Sequence, residues 1–205
     1  PRDVKRDESL RRLDAIAVIA LAATILIVAV VGDETIARAV KTFPAWVYPI
    51  FAAITRLGDS AYIFASSAII ALMALVLRGR GQGVAFDRAC LFLAERATFI
   101  FVVNAVAGLF GQFVKHLFGR ARPSLIDMVG PFHFDMMAFK SSYASFPSGH
   151  SLTAFGTALA LAYMRPRWRW WLIALAALVA ISRVIISAHY PSDVLAGAGI
   201  GLATA

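Results

Sequence analysis

The chain has 205 residues, of which 60% are hydrophobic and 16% charged, and its formal net charge is +8. Soluble domains usually contain about 45–50% apolar residues, so this composition excludes an ordinary water-soluble protein. It indicates one all-α domain over residues 1–205, a polytopic membrane helix bundle built from apolar runs of about 20 residues.

The distribution of charge indicates which partners the protein could bind. The cysteine count does not identify its redox compartment. The basic residues lie between the apolar runs and form no stripe with interleaved aromatics, which argues against nucleic acid as a partner. The single cysteine, Cys90, allows no intrachain disulfide, so it does not distinguish an oxidising from a reducing compartment. The bilayer is therefore the first predicted partner, and the oligomeric state stays open.

The first apolar run extends from Ala15 to Gly32 and follows the basic segment of residues 1–12. It is longer than the apolar core of a signal peptide, which has about 7–15 residues, so we expect an uncleaved first transmembrane helix. Ala37-Arg38-Ala39 resembles a cleavage site and keeps the signal-peptide alternative open. Both interpretations leave the N-terminus in the cytoplasm.

An interfacial segment is predicted after the first span. Apolar residues recur there at helical spacing with basic residues between them, and aromatic residues follow. This pattern is typical of an amphipathic helix at the membrane surface next to an aromatic belt, although a loop with chance periodicity explains it equally well. The apolar residues are Ile36, Val40 and Phe43, the basic residues are Arg38 and Lys41, and the aromatic residues are Trp46 and Tyr48.

The remaining apolar runs predict the other spans. The last run would form a helix of about 18 Å, which is too short to cross a bilayer core of about 30 Å. We therefore expect six transmembrane helices, with the sixth cut short at Ala205, and glycines at 197, 199 and 201 that allow close packing. The second span runs from about Ala61 to Leu77 and the third from Ala97 to Val114. The fourth follows the polar segment that ends at Gly149 and reaches Met164. The fifth runs from about Trp170 to Ala188 and the sixth from about Asp193 to Ala205.

Basic residues near the spans predict the orientation. One side carries the N-terminal segment and most of the loop arginines, and the positive-inside rule makes that side cytoplasmic. The opposite side also receives basic residues, in apparent violation of the rule, and these require another reason. The cytoplasmic set is Arg78, Arg80, Arg88, Arg165, Arg167 and Arg169, and the outer set is Lys115, Arg120, Arg122 and Lys140.

Three polar clusters converge on the outer face by this topology. They are KHLFGRARP at 115–123, YASFPSGHS at 143–151 and SRVIISAHYPSD at 182–193. Among their side chains are those of Lys115, Arg122, Arg183, two histidines and a carboxylate. This set suits a tetrahedral dianion, because guanidinium forks match phosphate oxygens and an ammonium adds a point charge. Arg183 lies inside an apolar run, where a charge usually has a functional role.

Local signals around these clusters predict helix ends. Lys115 and Arg122 would share one face about 10.5 Å apart on a continuing helix, unless Gly119 and Pro123 break it. Ser148 suits a helix N-cap, and the first N–H groups of that helix would face an anion. Pro191 can start the last helix, which would put a carboxylate at 193 in its first turn.

These motifs resemble the tripartite signature of the type 2 phosphatidic acid phosphatase superfamily. The segment ITRLGDS at 54–60 also resembles a weaker upstream motif of the family. The signature spans 115–193, and the family's six-helix architecture would cover nearly the whole chain as a single integral-membrane phosphatase domain. The matching positions are Lys115, Arg122 and Pro123; Pro147, Ser148, Gly149 and His150; and Ser182, Arg183, His189 and Asp193.

The resemblance implies a role for each matched residue. His189 would be the nucleophile that forms a phosphohistidine, and Asp193 would accept a hydrogen bond from its other ring nitrogen. His150 would be the general acid for the leaving group and then the base for water. The phosphate oxygens would be held by the side chains of Lys115, Arg122, Arg183 and Ser148 and by backbone N–H groups near Gly149.

The implied function is dephosphorylation of a membrane lipid phosphate or diphosphate on the outer side of a bacterial inner membrane. Family substrates include phosphatidylglycerophosphate, phosphatidate, undecaprenyl diphosphate and lipid A phosphates. No cofactor or metal is expected, because the motifs contain three cations and one carboxylate. Soluble vanadium haloperoxidases share the motifs, but five or six spans argue against that branch. The alternative from another class is a non-enzymatic anion channel or transporter.

Overall fold

The computed structural model describes residues 2–80 and 82–205, with side chains from residue 12 onward. These residues form nine α-helices joined by turns and loops. Short 3₁₀ turns precede α4, α6, α7 and α8. The helices are α1 Arg2–Val31, α2 Asp33–Val40, α3 Val47–Ile54, α4 Ser60–Leu77, α5 Val84–Phe118, α6 Ile126–Val129, α7 Gly149–Met164, α8 Arg169–Ile185 and α9 Pro191–Thr204.

Four segments of the described chain are long and apolar enough to cross a membrane: Arg12–Val31, Val47–Leu77, Val84–Phe118 and Pro166–Ile185. The prediction of an all-helical membrane protein is therefore confirmed. Helices α7 and α9 have 16 and 14 residues, fewer than the roughly 20 that a full crossing needs. The count of six spans stays a prediction.

The centre of the bundle is α7, which packs against α5, α8 and α9. Small residues allow the helices to approach closely, as the sequence predicted for the glycines of α9. A Cβ atom at Gly201 would lie 2.3 Å from the carbonyl oxygen of Leu152, and one at Gly197 would lie 2.3 Å from that of Ser148. The start of α7 is thereby held against the last helix.

The first helices pack onto the same bundle. Leu21 of α1 lies against Gly199 of α9, and α2 buries Asp33, Ala37 and Val40. A helix is thus present over Asp33–Val40, so the loop alternative is wrong for these residues, but Phe43 lies beyond the helix and Ile36 is exposed. The position of this helix at the membrane surface stays a prediction. The residues that resemble a cleavage site lie in this packed helix, and the uncleaved first helix stays a prediction.

Two helix bounds differ from the prediction. The third predicted span is part of the 35-residue helix α5, because the residues before Ala97 continue the same helix. Residues 47–58, outside any predicted span, form α3 and a 3₁₀ turn. The predicted break is confirmed at Gly119, which has a φ of 56° and caps α5, so Lys115 lies on the helix and Arg122 lies beyond it.

Candidate active site

One cavity of about 530 Å³ lies between α4, α5, α7 and the end of α8. It contains residues of all three polar clusters, so their predicted convergence is confirmed. Its charged end is lined by Lys115, Arg122, Gly149, His150, Arg183 and His189. Its other end is mostly apolar and includes Phe64, Asn104, Ala105, Gly108, Leu109 and Leu152.

Lys115 and the start of α7 lie close together at the charged end. Lys115 is in the last turn of α5, and a Cβ atom at Gly149 would lie 3.7 Å from its Nζ atom. The ammonium group therefore lies beside the N-terminus of α7. Both features favour an anion at the same point.

Two of the arginines that line the cavity each have a buried donor without a partner among the described residues. The Nε atoms of Arg122 and Arg183 are buried and find no acceptor among the described residues. The free energy cost of leaving a buried donor unsatisfied is about 1–3 kcal/mol, so such groups normally have a partner. An anion with several oxygens would provide one.

The upstream segment supports this end of the cavity from α3 and α4. Thr55 accepts a hydrogen bond from Nη1 of Arg183 at 2.9 Å, and Asp59 caps α4 by accepting from the N–H of Ala61. A Cβ atom at Gly58 would lie 3.1 Å from the carbonyl oxygen of His150. The sequence analysis assigned no role to Thr55, and the upstream resemblance was its only signal.

His189 is held by a backbone carbonyl group. Its Nδ1–H donates to the oxygen of Ser145 at 2.7 Å, a tautomer inferred from that acceptor, which leaves Nε2 unprotonated. Burial and the positive charges of Arg183, Lys115 and Arg122 hold the pKa of His189 well below its ordinary 6.5. The imidazole is therefore neutral, as a nitrogen nucleophile must be.

The expected hydrogen bond between Asp193 and His189 is not formed. The Oδ2 atom of Asp193 lies 3.9 Å from Nδ1, beyond hydrogen-bonding distance. The carboxylate instead accepts from the Ser145 hydroxyl at 2.6 Å and from the N–H of Tyr190 at 2.9 Å. This part of the prediction is wrong because Asp193 forms the capping box of α9 and faces back toward the helix start.

Ser148 lies at the N-terminus of α7. It is fully buried, and its Oγ accepts from the N–H and the hydroxyl of Ser151 at 3.4 and 3.0 Å. It is the N-cap of α7, as predicted, and it is absent from the described residues that line the cavity. Its hydroxyl is thus engaged within the first turn of α7, and the contact of its side chain with phosphate stays a prediction.

A buried ion network behind the cavity was missed by the sequence analysis. Arg120, which is 3% exposed, donates to Asp193 at 2.7 Å, to Ser192 at 2.8 Å and to Asp33 at 2.8 Å. Two signals could have indicated it: Asp33 directly follows the first apolar run, and Arg120 was one of the basic residues on the unexpected side. The network connects the start of α2 to the start of α9.

The fold and the cavity define a helical membrane protein in which cationic residues and histidines of three separated motifs line one cavity. The model of the PAP2 superfamily matches residues 96–205. This chain belongs to the PAP2 superfamily.

Relatives and solved structures agree with that membership. The chain is 34% identical over 153 residues to a lipid A 1-phosphatase of Rhizobium johnstonii, an overlap that covers 72% of this chain and 61% of the relative. It is 30% identical over 183 residues to phosphatidylglycerophosphatase B of Bacillus subtilis, covering 83% and 78%. The crystal structure of a transmembrane PAP2 type phosphatidylglycerolphosphate phosphatase from Bacillus subtilis matches with a TM-score of 0.60 and 25% identity, covering 91% of this chain and 90% of that one.

Proposed function

We propose that this protein is a lipid phosphatase that hydrolyses a phosphate or diphosphate ester through a phosphohistidine intermediate. The observation that carries the proposal is the cavity in which three cations and two histidines from separate elements meet. Two of these cations, Arg122 and Arg183, also have buried Nε donors that find no acceptor among the described residues. The named activities of the relatives support the same reaction class.

In the first step, Nε2 of His189 attacks phosphorus and the bond from phosphorus to the ester oxygen breaks. His150 gives its proton to that oxygen, so the lipid leaves as an alcohol, or as a lipid phosphate if the substrate is a diphosphate. The Nδ1–H of His189 stays on the ring and donates to the carbonyl of Ser145, which stabilises the positive charge that develops. The remaining phosphate oxygens are held by Lys115, Arg122 and Arg183.

In the second step, His150 takes a proton from a water molecule whose oxygen attacks phosphorus. The bond between phosphorus and Nε2 breaks, inorganic phosphate leaves, and both histidines return to their initial state. Free N–H groups at the start of α7, at Gly149 and His150, face the transferred group throughout. All of these steps use the protein's own side chains and need no metal.

The apolar end of the cavity supports a lipid as the substrate. Residues of α5 at positions 104, 105, 108, 109, 112 and 115 line it at helical spacing, so the cavity continues along one face of α5 away from the phosphate site. A tail could lie there while the phosphate contacts the cations. A channel for anions would use the same cations, but it would need neither a histidine with an oriented ring nor an apolar extension.

The direct test of this proposal is phosphate release by the purified protein in detergent. We expect release from at least one of phosphatidylglycerophosphate, phosphatidate, undecaprenyl diphosphate and lipid A, supplied as a panel of mixed micelles. The ranking would identify the substrate class. A protein that releases phosphate from none of them, yet passes anions across proteoliposomes, would be the alternative channel.

Metal independence follows from the charges at the site. A metal-assisted phosphatase binds its cation through several carboxylate or imidazole ligands, whereas the described residues include no cluster of three or more such groups that could hold a metal. We expect activity to survive EDTA and to be inhibited by orthovanadate, which mimics the five-coordinate transition state. Loss of activity in chelator that magnesium restores would contradict this expectation.

The membrane orientation can be tested with single cysteines. Cys90 lies 25 residues before Lys115 on α5, about 37 Å along the axis, which is long enough for the two ends of α5 to lie on opposite faces of a bilayer. In a Cys90→Ala background, Ser141→Cys at the cavity end should react with an impermeant thiol reagent in intact spheroplasts. Its matched control, Gln82→Cys in the exposed loop between α4 and α5, should react only after lysis. The reverse pattern would place the site in the cytoplasm.

A further inference from the structure

We propose that Ser145 is the positioning residue of the nucleophile, and that Asp193 acts on His189 through Ser145 rather than by direct contact. This inference rests on the proposed function, because it concerns how the same histidine is oriented for attack. It departs from the role that the family resemblance implied for Asp193, and it assigns a role to a serine outside the matched motif positions.

All three polar groups of Ser145 are engaged. Its carbonyl oxygen accepts from Nδ1 of His189 at 2.7 Å, and its hydroxyl donates to Oδ2 of Asp193 at 2.6 Å. Its N–H donates to the carbonyl oxygen of Arg120 at 3.1 Å. Ser145 is fully buried, so water does not compete for these bonds. A residue fixed at three points holds its carbonyl group in one place.

The carbonyl group of Ser145 determines the orientation of the His189 ring. A hydrogen bond to one ring nitrogen fixes the tautomer and the direction of the other, here Nε2 toward the cavity. Since Asp193 is 3.9 Å from Nδ1, it forms no hydrogen bond with the ring, and its charge acts on the ring without directional preference. Its short bond to the Ser145 hydroxyl, by contrast, fixes the group on which the ring depends.

The carboxylate is itself fixed from behind. Arg120 donates to Asp193, and Asp33 accepts from the same guanidinium group. The order of contacts is therefore Asp33, Arg120, Asp193, Ser145 and His189. Hydrogen bonds in such a buried series reinforce one another, so α2 and α9 together determine where the nucleophile points.

The test is a double-mutant cycle on the phosphorylation step, measured by rapid quench with labelled p-nitrophenyl phosphate. Ser145→Ala removes the hydroxyl and keeps the carbonyl group. We expect phosphoenzyme formation to slow by about 10- to 100-fold, the range produced by small misplacement of a reacting group. KM should be unchanged, because the phosphate-binding cations are untouched.

The decisive variant is Ser145→Ala combined with Asp193→Asn. If Asp193 acts through Ser145, the double variant should be no slower than the slower single variant. Rate losses that multiply would mean that Asp193 acts on His189 directly, and a wild-type rate for Ser145→Ala would mean that the hydroxyl has no positioning role. Either result overturns the inference and leaves the proposed function standing.

Two controls separate positioning from folding. Ser67→Ala removes another buried serine hydroxyl, which bonds only to backbone carbonyls of its own helix, and it should keep the wild-type rate. If Ser145→Ala does not fold, Ser145→Cys enters the same cycle, because a thiol of similar size donates more weakly. A wild-type enzyme that releases phosphate without any phosphohistidine would instead overturn the proposed function, and this inference with it.

Discussion

Replacing His189 by alanine is expected to abolish both phosphate release and any acid-labile phosphoenzyme. The ring of His189 is the only candidate nucleophile with a bound Nδ1–H among the described residues that line the cavity. Without it no bond from nitrogen to phosphorus can form. Because the loss removes a chemical step rather than binding energy, no substrate should restore activity.

Replacing His150 by alanine is expected to give a different pattern. Toward an alkyl phosphate the loss should be severe, since general acid catalysis contributes about 10²–10⁴-fold and an alkoxide is a poor leaving group. Toward p-nitrophenyl phosphate the first step should be better retained, because that leaving group needs little protonation. Phosphohistidine should then accumulate, because the base that activates water is missing.

Rapid quench with labelled phosphate decides between the two roles. His133→Ala is the matched control and should behave as the wild type, because His133 is exposed, lies in tilted contact with the ring of Tyr143 and is not among the residues that line the cavity. Phosphoenzyme formed by His189→Ala would show that the roles are assigned wrongly. Equal losses on both substrates for His150→Ala would argue against its role as the general acid.

The positions of the site residues could be predicted because each motif is local in the sequence. Lys115 and Arg122 flank a glycine that ends a helix, and Gly149 and His150 follow a serine that caps one. Helix ends of this kind are readable from residue type, and the predicted topology then placed the motifs on the same face. The cavity confirms that residues of the three motifs meet, and the membrane face on which they lie stays a prediction.

The contacts between motifs could not be predicted in the same way. Both the carbonyl of Ser145 and the carboxylate of Asp193 lie near the ring of His189, and a choice between two acceptors depends on differences of about 1 Å in backbone position. Residue spacing does not resolve such differences. Arg120 and Asp33 are 87 positions apart, so no local pattern connects them.

Replacing Arg120 by methionine is expected to lower the free energy of unfolding by about 3–5 kcal/mol, the usual effect of removing one partner from a buried ion pair. Asp33 and Asp193 are both fully buried, and each would lose its positive partner while water remains excluded. The shift of the unfolding midpoint of the purified protein in detergent, followed by tryptophan fluorescence, measures the effect.

An exposed arginine provides the control for this prediction, and a second substitution that removes a buried negative charge tests its cause. Arg38 also pairs with two carboxylates, of Glu34 and Asp127, but its side chain is 52% exposed, so Arg38→Met should change the midpoint little, as is usual for surface ion pairs. Adding Asp33→Asn to Arg120→Met should recover part of the lost stability, because it removes one of the two unpaired charges. A double variant less stable than Arg120→Met alone would mean that the arginine supports the fold by packing and not by neutralising buried carboxylates.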